Sequence, residues 1–333
     1  MLFKKRFGTG ALIDAKDDRD FLYKEIATAP IVNWQEKTTF KSYPIFNQNG
    51  SSSCVAQAVA KVLGIENAKE ENKFVSLSAR DIYTRRTNNS EGMFYREAME
   101  IGSKYGATIE QLMPSQNLSE AELNKSDDRT FTSDYVGKIF KGGAFISVEP
   151  NIDAIASVIE RGKGIVLGFR WDYDEWDKEF PTVNPNSKQT YGHGVAGVDY
   201  GLIKGKKYIV IDDSWGNNRG KNGQRFISED FITNRNSSAW YFEDLSNEDA
   251  VDVPIEKYIF NNDLYVGIQN EEVIKLQFVL QKLKFFPTNQ NCTGYFGGIT
   301  RQAVKDFQIE YGITPTEGYF GEKTREVLNK LDY

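Results

Sequence analysis

The sequence predicts an α+β body followed by a small all-α module of three helices. Three observations indicate this order. Helical periodicity dominates the first half of the chain, short apolar runs divided by glycine dominate residues 164–227, and a Gly-Tyr-Phe-Gly motif occurs twice near the C-terminus. A length of 333 residues suits two domains of roughly 150 residues each.

The composition is that of an acidic globular chain. Hydrophobic residues make up 40%, charged residues 26%, and the formal net charge is −6. We expect no nucleic-acid partner, because phosphate binding requires a basic surface. Two cysteines and one histidine exclude a disulfide framework and a zinc site built from several such ligands. We therefore predict no metal and no cofactor, and any imidazole chemistry must use His193.

Residues 1–30 have mixed charge and little periodicity, and we predict an N-terminal arm or a short pro-segment there. No apolar stretch approaches the roughly 18 residues of a membrane span. The N-terminus also lacks the apolar region and cleavage site of a signal peptide. These features predict synthesis in the cytoplasm and no membrane span.

In the body, residues 31–245, a helix is predicted to begin at Cys54. Serines at 51–53 offer N-cap side chains, and apolar residues then recur at helical spacing as far as Lys69. Further helical patterns cover residues 78–86, 93–105 and 151–162. Strand-like runs cover residues 164–169, 194–198, 207–211 and 224–227. The body therefore has a helix-rich first half and a strand-rich second half.

Residues 246–266 form a sparse acidic stretch, which we interpret as a linker. Beyond it, the motif Gly294–Gly297 recurs as Gly318–Gly321, and each copy starts a helical pattern. An amphipathic helix precedes both copies, and its apolar residues are Val273, Leu276, Val279, Leu280 and Leu283. Residues 267–333 are therefore predicted to form a three-helix module, which at about 65 residues is large enough for one core.

Four features of the body suit nucleophilic catalysis by a cysteine. Cys54 lies where a helix begins, and the helix dipole and free N–H groups there favour a thiolate. Gln48 lies shortly before it, in a turn that can direct its amide towards the sulfur. His193 stands between two glycines, and the segment 212–216 supplies a carboxylate that can hold the imidazole. Each feature alone is more typical of packing, but their combination in this order indicates a Cys–His pair.

With these residues in place, the body resembles the papain family of cysteine peptidases. The segment Gln48–Ala56 is similar to that family's nucleophile segment. His193 with the apolar run that follows it, and Ser214-Trp215-Gly216, are similar to the family's histidine and Ser-Trp-Gly segments. The resemblance covers residues 31–245 and implies a papain-like two-lobed fold, with a helical lobe and an antiparallel β-barrel lobe.

The resemblance implies a role for each matching residue. Cys54 would be the nucleophile, and His193 the general base that later protonates the leaving amine. Gln48 and the backbone N–H of Cys54 would form the oxyanion hole. Gly92 and Met93 match the glycine-rich segment that lines the substrate cleft of the family.

Two further positions concern the environment of the histidine. Asp213 stands where the family has an asparagine that orients the histidine, and Trp215 would shield the pair from water. A carboxylate stabilises imidazolium more than an amide does, so we predict a higher His193 pKa than in the asparagine enzymes. Residues 171–179 carry five acids and three aromatics, and they either border the cleft or form a solvated loop with packing aromatics.

The C-terminal module has a resemblance of its own. Residues 268–332, with both Gly-Tyr-Phe-Gly turns, are similar to the three-helix peptidoglycan-binding domain. This implies that residues 267–333 bind peptidoglycan and that the protein acts at the bacterial cell wall, either extracellularly or as part of a virion. Cys292 precedes the first turn and is interpreted as an incidental thiol.

Together these patterns predict a cysteine endopeptidase that is targeted to the cell wall and cleaves a protein or peptide substrate. Two alternatives remain at this point. One is a peptidoglycan amidase or endopeptidase of a phage or bacterial lysin, and the other is a catalytically silent wall-binding or virion structural protein.

Overall fold

A computed structural model describes residues 9–15, 32–71, 74–127, 129–245, 257–287, 290 and 292–331. The chain divides into two compact units, Met1–Asn247 and Glu248–Tyr333. Among the described residues, no helix combines the length and the apolar character needed to cross a membrane.

The first unit contains eight described helices. They are α1 (Cys54–Glu71), α2 (Ala79–Tyr83), α3 (Tyr95–Lys104), α4 (Glu120–Leu123), α5 (Phe131–Ile139), α6 (Ile152–Glu160), α7 (Tyr173–Trp176) and α8 (Glu229–Arg235). The helix predicted from Cys54 is confirmed as α1. Every residue from Cys54 to Asn67 is buried, so α1 is a central helix enclosed by the rest of the unit.

Eight described strands complete this unit. They are β1 (Ala11–Leu12), β2 (Met93–Phe94), β3 (Phe145–Ser147), β4 (Ile165–Trp171), β5 (Tyr191–Ile203), β6 (Lys206–Asp212), β7 (Gln224–Ser228) and β8 (Asn236–Phe242). Six of them form an antiparallel sheet in the order β3-β8-β4-β5-β6-β7. The predicted antiparallel lobe takes this form, and all four predicted strands belong to it.

The core of the sheet positions the candidate site. Apolar side chains of β4, β6, α6 and α8 pack into one buried cluster, which includes Ile155, Leu167, Phe169, Ile211 and Phe231. Helix α1 lies against β5, the strand that carries His193. The first residue of α1 is Cys54, so this packing brings together two side chains that are far apart in the sequence.

The second unit contains three described helices, α9 (Glu271–Lys282), α10 (Gly298–Glu310) and α11 (Glu322–Leu328), as predicted. A Gly-Tyr-Phe-Gly turn precedes each of the last two helices. Gly294 and Gly318 have φ values of 75° and 74°, a region that favours glycine. Phe296 and Phe320 are both buried in the core of the unit.

The structure corrects the predicted linker of residues 246–266. Residues 246–256 lie outside the described part of the chain, but 257–266 belong to the second unit. Phe260 and Leu264 are buried, and Leu264 pairs with Phe320. Other apolar residues of the stretch, Ile259, Tyr265 and Val266, are exposed. The apolar residues follow neither a helical nor a strand period, so the sequence does not single out Phe260 and Leu264 as core residues.

Candidate active site

Cys54 lies at the N-terminal end of α1 and is completely buried. Burial by itself would raise the pKa of its thiol. The hydrogen bond and charge of His193, followed by the backbone N–H groups of Gly194 and Gly10, outweigh burial and lower that pKa. The helix N-terminus favours the thiolate in the same direction. The environment therefore favours the nucleophilic form of the cysteine.

His193 lies on β5, completely buried, and its Nε2 is 2.7 Å from Oδ1 of Asp213. Burial by itself would lower the pKa of His193, but the charge and hydrogen bond of Asp213 raise it to about 9. The other ring nitrogen, Nδ1, is left for Cys54, whose hydrogen bond and charge also raise the pKa of His193. The imidazole thus lies between Asp213 and Cys54, with one ring nitrogen for each.

Asp213 receives four hydrogen bonds. Besides His193, its Oδ1 accepts the backbone N–H of Ser214 at 2.7 Å, and its Oδ2 accepts Nε1 of Trp176 at 3.2 Å and Nε of Arg225 at 2.8 Å. Burial alone would raise the pKa of this carboxyl, but His193 and Arg225 hold it well below its usual range. Asp213 is therefore an ionised carboxylate with a fixed orientation.

Arg225 is a functional residue that the sequence did not point to. Its guanidinium is completely buried, and it lies 5.6 Å from the ring centre of Trp176 and 5.5 Å from that of Trp215. Nothing in the local pattern of β7 distinguishes this arginine from one that faces solvent. The carboxylate of Asp213, which stands where the papain family has an asparagine, could have indicated this arginine, because a buried negative charge requires a cationic partner.

Two tryptophan rings enclose the imidazole. The ring of Trp215 lies 4.7 Å from that of His193, and the ring of Trp176 lies 5.5 Å from it at an interplanar angle of 89°. Both tryptophans are buried. Trp215 therefore makes the contact with His193 that a shielding residue requires, and Trp176 covers the imidazole from a second direction.

Of the two interpretations of residues 171–179, a border of the cleft or a loop with packing aromatics, the structure supports the packing of the aromatics. Trp171 and Trp176 are fully buried and stack on each other at 5.6 Å. Glu175 is also buried and forms an ion pair with Arg235 at 2.7 Å. Through the ring of Trp176, this segment packs against the imidazole of His193.

Gln48 is completely buried in the turn before α1. Its backbone N–H donates to the carbonyl of Ser214 at 2.8 Å, and its Oε1 accepts the hydroxyl of Ser214 at 2.6 Å. Its Nε2 donates to the carbonyl of Ser51. These bonds join the turn to the Ser-Trp-Gly segment and fix the amide next to the start of α1.

The predicted cleft wall at Gly92 and Met93 is occupied by the chain itself. Strand β1 pairs in parallel with β2, and the carbonyl of Gly10 accepts the N–H of Met93 at 2.8 Å. A Cβ at Gly92 would lie 2.4 Å from the Gly10 carbonyl oxygen, and one at Gly192 would lie 2.4 Å from that of Ala11. Residues 9–15, which we call the arm, therefore run past Cys54. The rest of the predicted segment 1–30 lies outside the described residues.

Cys292 is buried like Cys54, but its electrostatic environment is different. It is buried in the second unit, and burial raises the pKa of its thiol far above the usual range. Buried thiols of this kind are unreactive. Cys54 is therefore the cysteine that the environment activates.

A family model described as "Papain family cysteine protease" matches residues 29–238, which is more than half of the chain. The chain therefore belongs to the papain family of cysteine proteases. A second model, "Putative peptidoglycan binding domain", matches residues 269–328. Both matches agree with the resemblances seen in the sequence.

Curated relatives include caricain of Carica papaya, 30% identical over 225 residues, which are 62% of this chain and 59% of caricain. The KDEL-tailed cysteine endopeptidase CEP2 of Arabidopsis thaliana is 28% identical over 201 residues, 58% of this chain and 52% of the relative. This chain thus spans less than two thirds of the length of these relatives.

Solved structures show the same fold. Xylellain, a cysteine protease from Xylella fastidiosa, superposes with a TM-score of 0.60 at 21% identity, covering 73% of this chain and 99% of xylellain. Digestive procathepsin L 3 of the Tenebrio molitor larval midgut gives a TM-score of 0.53 at 14% identity, with 72% and 76% covered. The two-lobed fold class predicted from the sequence is confirmed.

Proposed function

We propose that this protein is a cysteine endopeptidase that hydrolyses peptide bonds through a thiolate–imidazolium pair of Cys54 and His193. The observation that carries this proposal is electrostatic. The pKa of the Cys54 thiol is lowered while that of His193 is raised to about 9. Both shifts favour a proton on the imidazole and a negative charge on the sulfur, the state that nucleophilic catalysis by cysteine requires.

The proposed reaction has two stages. The sulfur of Cys54 attacks the carbonyl carbon of the peptide, and the carbonyl oxygen becomes an oxyanion that the Cys54 backbone N–H and the Gln48 amide stabilise. His193 gives its proton to the leaving amine, and an acyl-enzyme remains on the sulfur. A water molecule then gives a proton back to His193 and hydrolyses the thioester, which releases the acid and restores the pair.

Asp213 and Trp215 support this pair in the proposal. Asp213 holds the imidazolium through Nε2, which leaves Nδ1 for proton transfer. The rings of Trp215 and Trp176 exclude water from the hydrogen bond and so strengthen it.

We further propose that the arm keeps the enzyme inactive. The arm uses the backbone of Met93, which a substrate would need, and the N–H of Gly10 faces the sulfur of Cys54. The sequence leaves two interpretations open, a pro-segment that is removed and an arm that stays attached, and the contacts of the arm with Met93 and Cys54 are compatible with both. In each case the arm has to leave before a substrate can bind Gly92 and Met93.

For the second unit we propose binding to peptidoglycan, which would concentrate the enzyme at the bacterial cell wall. The match to a putative peptidoglycan binding domain supports this proposal. The substrate would then be a surface protein or the peptide part of the wall. Under this proposal the protein acts at the wall, outside the cell or on a virion.

The decisive experiment compares the wild-type protein with Cys54→Ala on casein and on purified sacculi. We expect the wild type, after removal of the arm, to cleave casein and the variant to be inactive. Release of muropeptides, identified by mass spectrometry, would instead support a peptidoglycan amidase or endopeptidase. Absence of both activities, together with failure of iodoacetamide to label Cys54 at neutral pH, would indicate a silent binding protein.

A further inference from the structure

The two Gly-Tyr-Phe-Gly turns of the second unit are built by the same polar contacts. In the first turn, Nε2 of Gln277 donates to the carbonyl of Tyr295 at 2.9 Å and to the hydroxyl of Thr300 at 2.8 Å. Its Oε1 accepts the N–H of Gly294 at 2.9 Å. One buried glutamine therefore fixes the whole turn.

The second turn repeats this arrangement. Nε2 of Gln308 donates to the carbonyl of Tyr319 at 2.8 Å and to the hydroxyl of Thr324 at 3.0 Å, and Oε1 accepts the N–H of Gly318 at 2.9 Å. Gln308 is also buried. The sequence repeat is thus a repeat of one rigid turn.

Each turn buries its phenylalanine and exposes its tyrosine. Tyr295 and Tyr319 are 37% and 44% exposed. A Cβ at Gly297 would lie 3.1 Å from the Tyr295 ring, and one at Gly321 would lie 2.7 Å from the Tyr319 ring. The second glycine of each motif therefore leaves room for the tyrosine ring. This ring lies at the surface, whereas the phenylalanine of the same motif is part of the core.

A short segment, residues 264–269, contacts both Gly-Tyr-Phe-Gly turns and itself turns at residues 266 and 267. Leu264 exchanges backbone hydrogen bonds with Phe320 at 3.1 and 2.9 Å. Further along, the N–H of Phe296 donates to the carbonyl of Ile268 at 2.8 Å, and the N–H of Gly267 donates to the carbonyl of Phe296 at 3.0 Å. Both turns are thereby fixed to the same segment.

This segment adds an aromatic ring to the exposed surface. Tyr265 is 49% exposed, and its ring lies 5.9 Å from that of Tyr319 with an interplanar angle of only 15°. The hydroxyl of Tyr319 donates to Asp263 at 2.5 Å, and Asp263 forms an ion pair with Arg325. The result is an apolar surface with fixed polar groups at its edge.

We propose that this surface, formed by Tyr265 and Tyr319 with Asp263 and Arg325 at its edge, binds the glycan strand of peptidoglycan. The inference rests on the proposed wall binding and assigns it to specific residues. One face of a pyranose ring presents C–H groups that pack on tyrosine, while its hydroxyl and amide groups need polar partners such as Asp263 and Arg325. Exposed apolar patches with a polar edge are typical of binding sites.

The test uses the full chain with Cys54→Ala, so that the wall is not digested. Binding is measured by sedimentation with purified sacculi and by titration with glycan strands whose peptides have been removed by an amidase. Tyr265→Ala combined with Tyr319→Ala is expected to weaken binding to both by about tenfold or more, as for aromatic residues central to an interface. Tyr319→Phe, which keeps the ring, is expected to retain most of the affinity.

The matched control is Tyr311→Ala. Tyr311 is 40% exposed, but it packs on Phe307 at 4.6 Å rather than beside the segment 264–269. We expect this variant to bind as the wild type does. All variants are checked by thermal unfolding, since loss of the fold would weaken binding for a different reason.

The possible outcomes distinguish failure of the proposed tyrosine surface from failure of the proposed wall binding. Wild-type binding that the double substitution does not weaken would overturn the tyrosine surface and leave wall targeting intact. Binding to sacculi without binding to peptide-free strands would overturn recognition of glycan. A parent protein that does not sediment with sacculi would overturn wall targeting itself, and the tyrosine surface with it.

Discussion

Asp213 has two cationic partners, His193 at Oδ1 and Arg225 at Oδ2. With Cys54 as a thiolate and His193 as an imidazolium, the four side chains carry two negative and two positive charges. A buried cluster without net charge avoids much of the desolvation penalty that an unpaired charge would bear. This pairing explains how a carboxylate can occupy a fully buried position beside His193.

Asp213→Asn is expected to lower the pKa of His193, because an amide has no charge to stabilise the imidazolium. The folded-state pKa of about 9 means that the imidazolium is present below that pH and lost above it. The alkaline limb of kcat/KM should therefore move to lower pH in the variant. A pH–rate profile on a soluble peptide measures this, and an alkaline limb that stays in place would contradict the role of Asp213.

Arg225→Gln is expected to move the alkaline limb of kcat/KM to higher pH, because the full charge of Asp213 then acts on His193.

Breaking the buried ion pair of Arg225 and Asp213 should also lower the free energy of unfolding by about 3–5 kcal/mol. The double variant with Asp213→Asn removes both charges and should be more stable than the single effects predict. Urea unfolding of all four proteins gives the coupling energy, and additive effects would show that the two residues act independently.

At the scale of elements, α1 and β5 bring Cys54 and His193 together, and β1 pairs with β2 beside them. Helix α1 begins at Cys54, as its periodicity and the preceding serines predict. Strand β1 has only two residues, and its pairing with β2 depends on the glycine that precedes each strand, Gly10 before β1 and Gly92 before β2. Such a short strand has no periodicity of its own, so its place in the cleft could not be predicted.

Gly10→Ala is expected to displace the arm and to activate the enzyme. A Cβ at position 10 would lie 1.8 Å from the carbonyl oxygen of Ser52, which is backbone and cannot move aside easily. We expect faster alkylation of Cys54 by iodoacetamide and faster hydrolysis of a soluble peptide.

The control for this experiment is Gly298→Ala, because a Cβ at that position meets nothing within 4 Å. It should leave both rates unchanged. If Gly10→Ala reacts no faster than the wild type, the arm does not limit access to the cysteine.

At the scale of the whole molecule, the chain combines two units with separate cores. The first contains the sheet and the candidate active site, and the second contains three helices and the two repeated turns. This separation predicts that hydrolysis and wall binding can be removed one at a time.

Deletion of residues 248–333 is expected to leave kcat/KM on a soluble peptide within about twofold of the intact protein, because the proposed catalytic residues all lie in the first unit. Sedimentation with sacculi should be lost, since tethering would depend on the second unit. The deletion begins at 248 because residues 257–266 belong to that unit. A truncated protein that still sediments would place the wall-binding surface elsewhere.

The amino-acid sequence by itself determined that a helix-rich part precedes a strand-rich part, that α1 starts at Cys54, that three helices follow at the C-terminus, and that Cys54 and His193 are a candidate pair. These features follow from periodicity, capping residues and glycine turns, all of which act over a few residues. Short or polar strands such as β3 and β8 escaped prediction, because three residues, or a start of Asn-Ser-Ser, give little periodic signal.

Only the tertiary structure decided that Arg225 neutralises Asp213, that the arm lies in the cleft, and that Phe260 and Leu264 belong to the second unit. Each of these depends on partners distant in the sequence, and on the burial that makes a charge or an apolar side chain require a partner. Local propensity contains no information about such partners. Long-range packing therefore decides the electrostatics and access of the site, while local pattern determines which elements carry it.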